Sequence, residues 1–471
     1  MENSRTKNSI RNMIWGILNR LVSILFPFIV RTIFIKVLGE EYLGLNSLYS
    51  SILQVLNLAD LGFASAIVAS MYKPIAENNE KEICALLNLY KKIYRVIGLA
   101  ILIVGSILTP FIAKFINGIP PEGINIYYLW MLYLANTVVS YLFFAYKVSL
   151  LNAYQRNDLT EKIGALCRAL ISVIQIIVIV VMKSVYLYVI LTIVCSVVYN
   201  LLCAYESKKR YPQYRCIGQL SVSAKKEITR NVGALAIQKI GNTVSLSLDS
   251  IIISSFLGLT TVAIYGNYFY IISAVSTFVT LIYGAITASI GNSIVVETVE
   301  KNYQDFRKFL FLNTWLIGWC CTCFMCLFQD FMILWMGEDL LFSIGIIATL
   351  VIRFFFERIR NVVLTYKDAA GMWWIDKWRP LVGCIVNLIL NVILVQKIGV
   401  AGVAISTIAS YVLVEIPWEV HALFKNYFKR SEIEYYKNIL LYIVCVFVAC
   451  AITYVLCELI PLTGILAIIV K

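Results

Sequence analysis

A few charged and amide side chains sit where chemistry is expensive, inside long apolar runs of the chain. Arg20 and Arg31 are eleven residues apart, which at 100° per residue is three turns and about 20°, so both lie on one helix face. They are separated by roughly 16 Å along the axis, with Pro27 between them as an expected kink. Gln238, Asn242, Ser245 and Asp249 follow i, i+4, i+7, i+11 and form a polar stripe, beside Lys239. Asp60 falls at a depth near that of Arg20, and Arg353, Glu357 and Arg360 share a face of a later helix. Intramembrane ions face either a cavity or a partner. Two readings of these residues follow. One is local pairing: Arg20 with Asp60, Arg31 level with Asp249, and Arg353, Glu357 and Arg360 neutralising one another, unless Asp60, Asp249 or Glu357 couples an ion. The other is a cavity with excess positive charge from Arg20, Arg31 and Lys239, suited to an anion and above all a phosphate.

Other chemistry is poorly supplied. Cys320 and Cys323 have CxxC spacing in the run WCCTCFMC, but they lie mid-span with no His or acid nearby, where Cys behaves as a small hydrophobe. The single histidine, His421, is read as an interfacial residue, so no Ser-His-Asp set is available. GxxxxGK[ST] is absent, and no cofactor or metal is expected.

The elements that position these residues are membrane helices. Of 471 residues 60% are hydrophobic and 14% charged, against roughly 25% charged in a soluble domain, and the mean hydropathy is +0.82. A helix crosses the bilayer with about 20 apolar residues, and thirteen stretches qualify: 13–38, 43–70, 93–117, 125–146, 163–182, 186–205, 232–257, 262–290, 309–336, 340–366, 380–397, 400–424 and 438–460. A fourteenth, from Leu462 to Val470, is too short to span, so the last helix is expected to be incomplete.

The net charge of +13 is distributed by side rather than by domain. With the N-terminus in the cytosol, basic residues such as Arg5, Lys7, Arg11, Lys91, Lys92, Lys208, Lys209, Arg210, Lys429 and Arg430 fall on the cytosolic side, and Lys36, Lys114, Lys183 and Lys397 on the other. The positive-inside rule thus accounts for the basic balance without a nucleic-acid partner. The outer turns are too short to hold a catalytic domain, which argues against an enzyme.

An internal repeat appears at an offset of 219 residues. Arg11-Asn12 falls on Arg230-Asn231, Leu38-Gly39 on Leu257-Gly258, Tyr49 on Tyr268, and Ala66-Ile67-Val68-Ala69-Ser70 on Ala285-Ile286-Thr287-Ala288-Ser289. Arg20 falls on Lys239. Six helices per repeat give both halves the same orientation, as in transporters built from parallel repeats. The expected architecture is all-α and integral to the membrane: a six-helix bundle over 1–205, a basic cytosolic tether over 206–230, a second pseudo-symmetric six-helix bundle over 231–430, and extra C-terminal segments over 431–471.

The run Leu38-Gly39-Glu40-Glu41-Tyr42-Leu43-Gly44-Leu45-Asn46-Ser47-Leu48-Tyr49, then Leu58-Ala59-Asp60-Leu61-Gly62 and Tyr72-Lys73-Pro74-Ile75-Ala76, resembles the start of Wzx-type polysaccharide flippases. Asn387, Asn391 and Gly399-Val400-Ala401-Gly402-Val403-Ala404-Ile405-Ser406-Thr407 resemble the eleventh-to-twelfth helix signature of their superfamily, the multidrug/oligosaccharidyl-lipid/polysaccharide exporters. The resemblance covers essentially the whole chain. It implies two bundles around a central cavity with a C-terminal helix pair, located in the cytoplasmic membrane. It also implies the flipping of an undecaprenyl-diphosphate-linked oligosaccharide for surface polysaccharides such as lipopolysaccharide or capsule. Partners so implied are the lipid-linked oligosaccharide, membrane lipids, a polysaccharide polymerase and a chain-length regulator. Cavity residues so implied are Arg20, Arg31 and Lys239, with Gln238, Asn242 and Asp249 alongside. The alternative on the same fold is a cation-coupled small-molecule antiporter of the multidrug and toxin extrusion type.

Overall fold

The computed structural model describes every residue except Met1, 58–62, 222–240, 242, 246, Trp373 and Thr463. Among the described residues all regular structure is helical. The chain divides into two compact units, one of 1–243 with 258–260 and one of 244–257 with 261–471. Among the described residues eight helices are long and apolar enough to cross a membrane, or nine if one bent pair is a single span.

The first unit contains α1 (Glu2–Leu38), α2 (Glu40–Leu56), α3 (Phe63–Ala76), α4 (Glu80–Leu108), α5 (Ile126–Leu142), α6 (Ala145–Ala153), α7 (Asn157–Met182) and α8 (Val185–Arg210). α5 and α6 are the bent pair, meeting at 47°. α1 is continuous through Pro27 and packs along α7. The Arg11-Asn12 landmark joins those two helices. Asn12 accepts from Asp158 N at 2.7 Å and donates to Gln155 O at 2.9 Å, and Arg11 pairs with Asp158 at 2.7 Å. A side chain of α1 thereby caps the first turn of α7, whose own N-cap residue, Arg156, makes no side-chain cap bond.

The opening motif has a similar structural use. Tyr42, Asn46 and Tyr49 lie at i, i+4 and i+7 on one face of α2. Tyr42 donates to Glu122 O at 2.9 Å, Tyr49 to Ile126 O at 2.8 Å, and Asn46 accepts from Tyr133 at 2.6 Å. Together they fasten α2 to the segment before α5 and to its first half.

The second unit contains α9 (Thr243–Leu257), then α10 (Leu259–Val296), α11 (Val299–Met336), α12 (Ile344–Ile359), α13 (Asn361–Ala369), α14 (Arg379–Ser410), α15 (Ile416–Leu423), α16 (Ile433–Glu458) and α17 (Ile465–Val470). α14 reverses at Ile398 and Gly399, where Gly399 has φ +59° and ψ −138°, so it is a hairpin holding parts of two apolar stretches. The run then continues as a π-helical turn at Tyr411–Glu415, α15 and a second π turn at Phe424–Phe428. The tenth stretch is broken at Arg360 into α12 and α13. The hairpin and the break at Arg360 thus place three of the thirteen apolar stretches in folded-back or broken helices.

At the 219-residue offset the chain has matching local features. α1 gives way to α2 at Gly39 (φ +102°), and α9 to α10 at Gly258 (φ +90°). Tyr49 and Tyr268 are both fully buried. Each sets its ring edge-on against an aromatic residue, Tyr49 on Trp130 at 5.5 Å and Tyr268 on Phe328 at 5.4 Å.

Candidate functional site

The charged residues of the second unit form a buried, charge-balanced network. Asp249 on α9 is wholly buried and lies 2.6 Å from Arg353 of α12, which is 3% exposed. Tyr265 of α10 donates to Asp249 at 3.1 Å and accepts from Arg353 at 2.6 Å. Asn391 of α14 donates to the other Asp249 oxygen at 3.2 Å and to Asn387 at 3.1 Å, and Asn387 donates to Thr407 across the hairpin at 3.0 Å. The Arg353 guanidinium also lies over the Phe269 ring at 5.4 Å. A carboxylate removed from water is stable only when paired and hydrogen-bonded, and these contacts supply both.

A second cluster gathers around the break between α12 and α13. Arg360 pairs with Glu415 and with Glu419, the latter at 2.5 Å. Arg379, at the start of α14, reaches Glu415 at 2.5 Å, Glu419 at 2.6 Å and Asp376 at 2.9 Å. Asp376 also pairs with Lys367 of α13. None of these six side chains exceeds 7% exposure. Three cations meet three anions. Gly383 leaves the room they need, since a Cβ there would sit 2.7 Å from Glu415 Oε1.

This geometry corrects one expectation. Arg353, Glu357 and Arg360 share a helix face but do not pair with one another: Arg353 takes Asp249, Glu357 takes Arg358, and Arg360 takes Glu415 and Glu419. The reason is desolvation. Asp249, Glu415 and Glu419 sit deeper than Glu357 and have more to gain from a guanidinium. Asp249 likewise finds its cation on α12, in Arg353. Glu415 and Glu419 were legible in the sequence as acids four residues apart within the apolar run 400–424, a signal the hydropathy average conceals. Asp376, Lys367 and Arg379 carried no comparable signal, because a loop usually holds exposed charges.

In the first unit, Asn19 of α1 turns to Glu161 of α7 at 2.5 Å, while Arg20, 100° further round the helix, is exposed. No acid lies within ion-pair distance of Arg20 among the described residues. Arg31 is half-buried, and Phe34, one turn further along α1, packs edge-on against Tyr188 at 5.1 Å. Asp60, Gln238, Lys239 and Asn242 lie outside the described residues. Ser245, another member of the polar stripe, is half-buried. Among the described residues no group of three or more His, Cys, Asp or Glu side chains could hold a metal ion, and Cys320 and Cys323 are free thiols.

The family model described as "Polysaccharide biosynthesis protein" matches residues 9–287, more than half of the chain. Comparison with proteins of curated function finds no match. Among solved structures, an inward-facing multidrug resistance MATE family transporter of the MOP superfamily superposes with a TM-score of 0.67 at 15% identity, over 85% of this chain and 94% of that one. The lipid II flippase MurJ in an inward closed conformation gives 0.65 at 14% identity, over 98% and 96%. A MOP superfamily transporter from Pyrococcus furiosus, described as having a binding pocket of reversed polarity, gives 0.58 at 15%, over 90% and 97%. At these identities the structures establish the fold, a multi-pass membrane transporter fold, and the family model establishes descent. The chain belongs to the polysaccharide biosynthesis protein family, in accord with the polysaccharide-linked resemblance of its opening motif.

Proposed function

We propose that the protein moves undecaprenyl-diphosphate-linked oligosaccharide repeat units from the cytosolic to the outer leaflet of the cytoplasmic membrane, by alternating access and with a cytosolic N-terminus. The observation that carries this reading is the asymmetry of charge compensation. The buried ions of the second unit cancel one another, whereas Arg20, within the first apolar stretch, has no acidic partner among the described residues. An intramembrane cation that meets no described acid suits an anionic cargo. Lys239, its counterpart at the 219-residue offset, is proposed as the second ligand of the diphosphate, with Arg31 further along α1. Gln238 and Asn242 are proposed as neutral ligands for the sugar. This is transport, with no bond made or broken by the protein.

The multidrug-type alternative needs an acid free to meet a cationic substrate. Asp249 is already bonded to Arg353, Tyr265 and Asn391, which weighs against it. The test is export in a deletion host complemented with Arg20→Ala. Lipid-linked intermediates should accumulate to the level of the deletion while membrane abundance of the variant is unchanged. Recovery of export on adding Asp60→Asn would mean that Arg20 is a structural partner of Asp60. Raised drug sensitivity of the deletion without such intermediates would favour the antiporter.

A further inference from the structure

A second concentration of positive charge lies at the end of the first unit that the basic-residue distribution assigns to the cytosol. Lys91 of α4, Lys147 of α6, Lys208 in the last turn of α8 and Arg215 beyond it line one cavity of about 450 Å³ with no acidic residue in its walls among the described residues. Its floor includes Ser207 and Tyr146, 1% and 7% exposed. Lys91 Nζ sits 5.9 Å from the Tyr146 ring centre. None of the four cations has an acid within ion-pair distance among the described residues. Glu206, the nearest acid in sequence to Lys208, turns to Arg210 at 3.1 Å.

The chain after α8 builds the fourth wall. Tyr154, Tyr211 and Tyr214 stack, with Tyr154 and Tyr211 ring centres 4.2 Å apart and the Tyr154 and Tyr214 hydroxyls at 2.5 Å. Asn88 donates to Gly218 O at 2.8 Å, and Arg215 N donates to Cys84 Sγ at 3.3 Å. The segment 211–218 is thus tied back over α4 and α6, and this brings Arg215 beside the three lysines. Holding four like charges around one hollow is unfavourable unless an anion neutralises them. Lysines act as point charges toward phosphate and arginine adds a two-pronged fork. The volume falls in the range of small-ligand sites.

We propose that this cavity is a binding site for a phosphate-bearing anion, separate from Arg20 and independent of the cargo proposed above. The chemistry suits an anionic phospholipid headgroup or a diphosphate equally, and the experiment separates these sources. The purified full chain in micelles of neutral detergent is titrated with inorganic pyrophosphate, short-chain phosphatidylglycerol or, as zwitterionic control, phosphatidylcholine. Binding is read by native mass spectrometry, and shielding of Cys216, which lies in the wall, by its alkylation rate in peptide mass spectra. Lys91→Gln with Lys147→Gln should weaken binding by at least about ten-fold, the scale of lost charge-assisted hydrogen bonds. Lys147→Arg, which keeps the charge, should retain both binding and Cys216 shielding. Lys92→Gln with Lys209→Gln, which removes two exposed charges outside the cavity, should change binding by less than about twofold. Pyrophosphate binding alone assigns the site to a free or terminal diphosphate, and phosphatidylglycerol binding alone to the leaflet. Binding of neither, equal affinity for phosphatidylcholine, or equal loss in the Lys92/Lys209 variant overturns the proposal.

Discussion

Arg353 Nη1 lies 2.6 Å from Asp249 Oδ2, an ion pair that joins α12 to α9 with both side chains removed from solvent. The pair has no access to water as a substitute partner. Removing one member therefore costs more than the pair contributes, on the order of 3–5 kcal/mol. Arg353→Ala and Asp249→Ala should each lower the melting temperature in detergent and the yield from membranes. Asp249→Asn combined with Arg353→Gln, which removes both charges and keeps the hydrogen-bonding shapes, should recover most of that loss. Single variants as stable as the parent would show that the pair is not desolvated.

The cluster at the start of α14 makes a different demand. Arg360 and Arg379 each bridge Glu415 and Glu419, a task for a planar fork and not for a single ammonium. Arg360→Lys should destabilise by about 1–3 kcal/mol through a carboxylate left short of a donor. Gly383→Val, which places atoms where the Glu415 carboxylate sits, should do the same without touching a charge. Chemical unfolding in micelles measures both. Retention of full stability by Gly383→Val would mean that the carboxylate has another position.

Gly399 turns the α14 hairpin at φ +59° and ψ −138°, a conformation side chains avoid. Gly399→Ala should cost about 1–3 kcal/mol, whereas Gly345→Ala, with open space around its Cβ, should be nearly neutral. Comparing their melting temperatures checks this. The hairpin matters because its two arms carry Asn387 and Thr407, which bond across it, and Asn391, which reaches Asp249.

Asn12 caps α7 from α1 by accepting from Asp158 N and donating to Gln155 O. Asn12→Ala should lose about 1 kcal/mol, the ordinary worth of a cap. Amide hydrogen exchange should rise first in the opening turn of α7. Unchanged exchange there would rule out the cap.

Composition and patterning were enough for the membrane, the helices and the family. A mean hydropathy of +0.82 leaves no soluble alternative, and the Leu38-Gly39 and Leu257-Gly258 landmarks fall at helix breaks where φ is positive and glycine is favoured. The same holds for Gly399 in the late signature. Pairing of charges was not legible. Helical spacing states which residues share a face, as Arg353, Glu357 and Arg360 do, but not what that face meets. Only the packing of α12 against α14, with α9 supplying Asp249, decided that each arginine would leave its own helix for a more deeply buried acid. The cationic cavity was hidden for the same reason. Lys91, Lys147, Lys208 and Arg215 are spread over 125 positions and gather only because the segment after α8 is tied back by Tyr154 and Asn88. Sequence spacing encodes local geometry, and electrostatic partnership is a property of distances that only the folded chain sets.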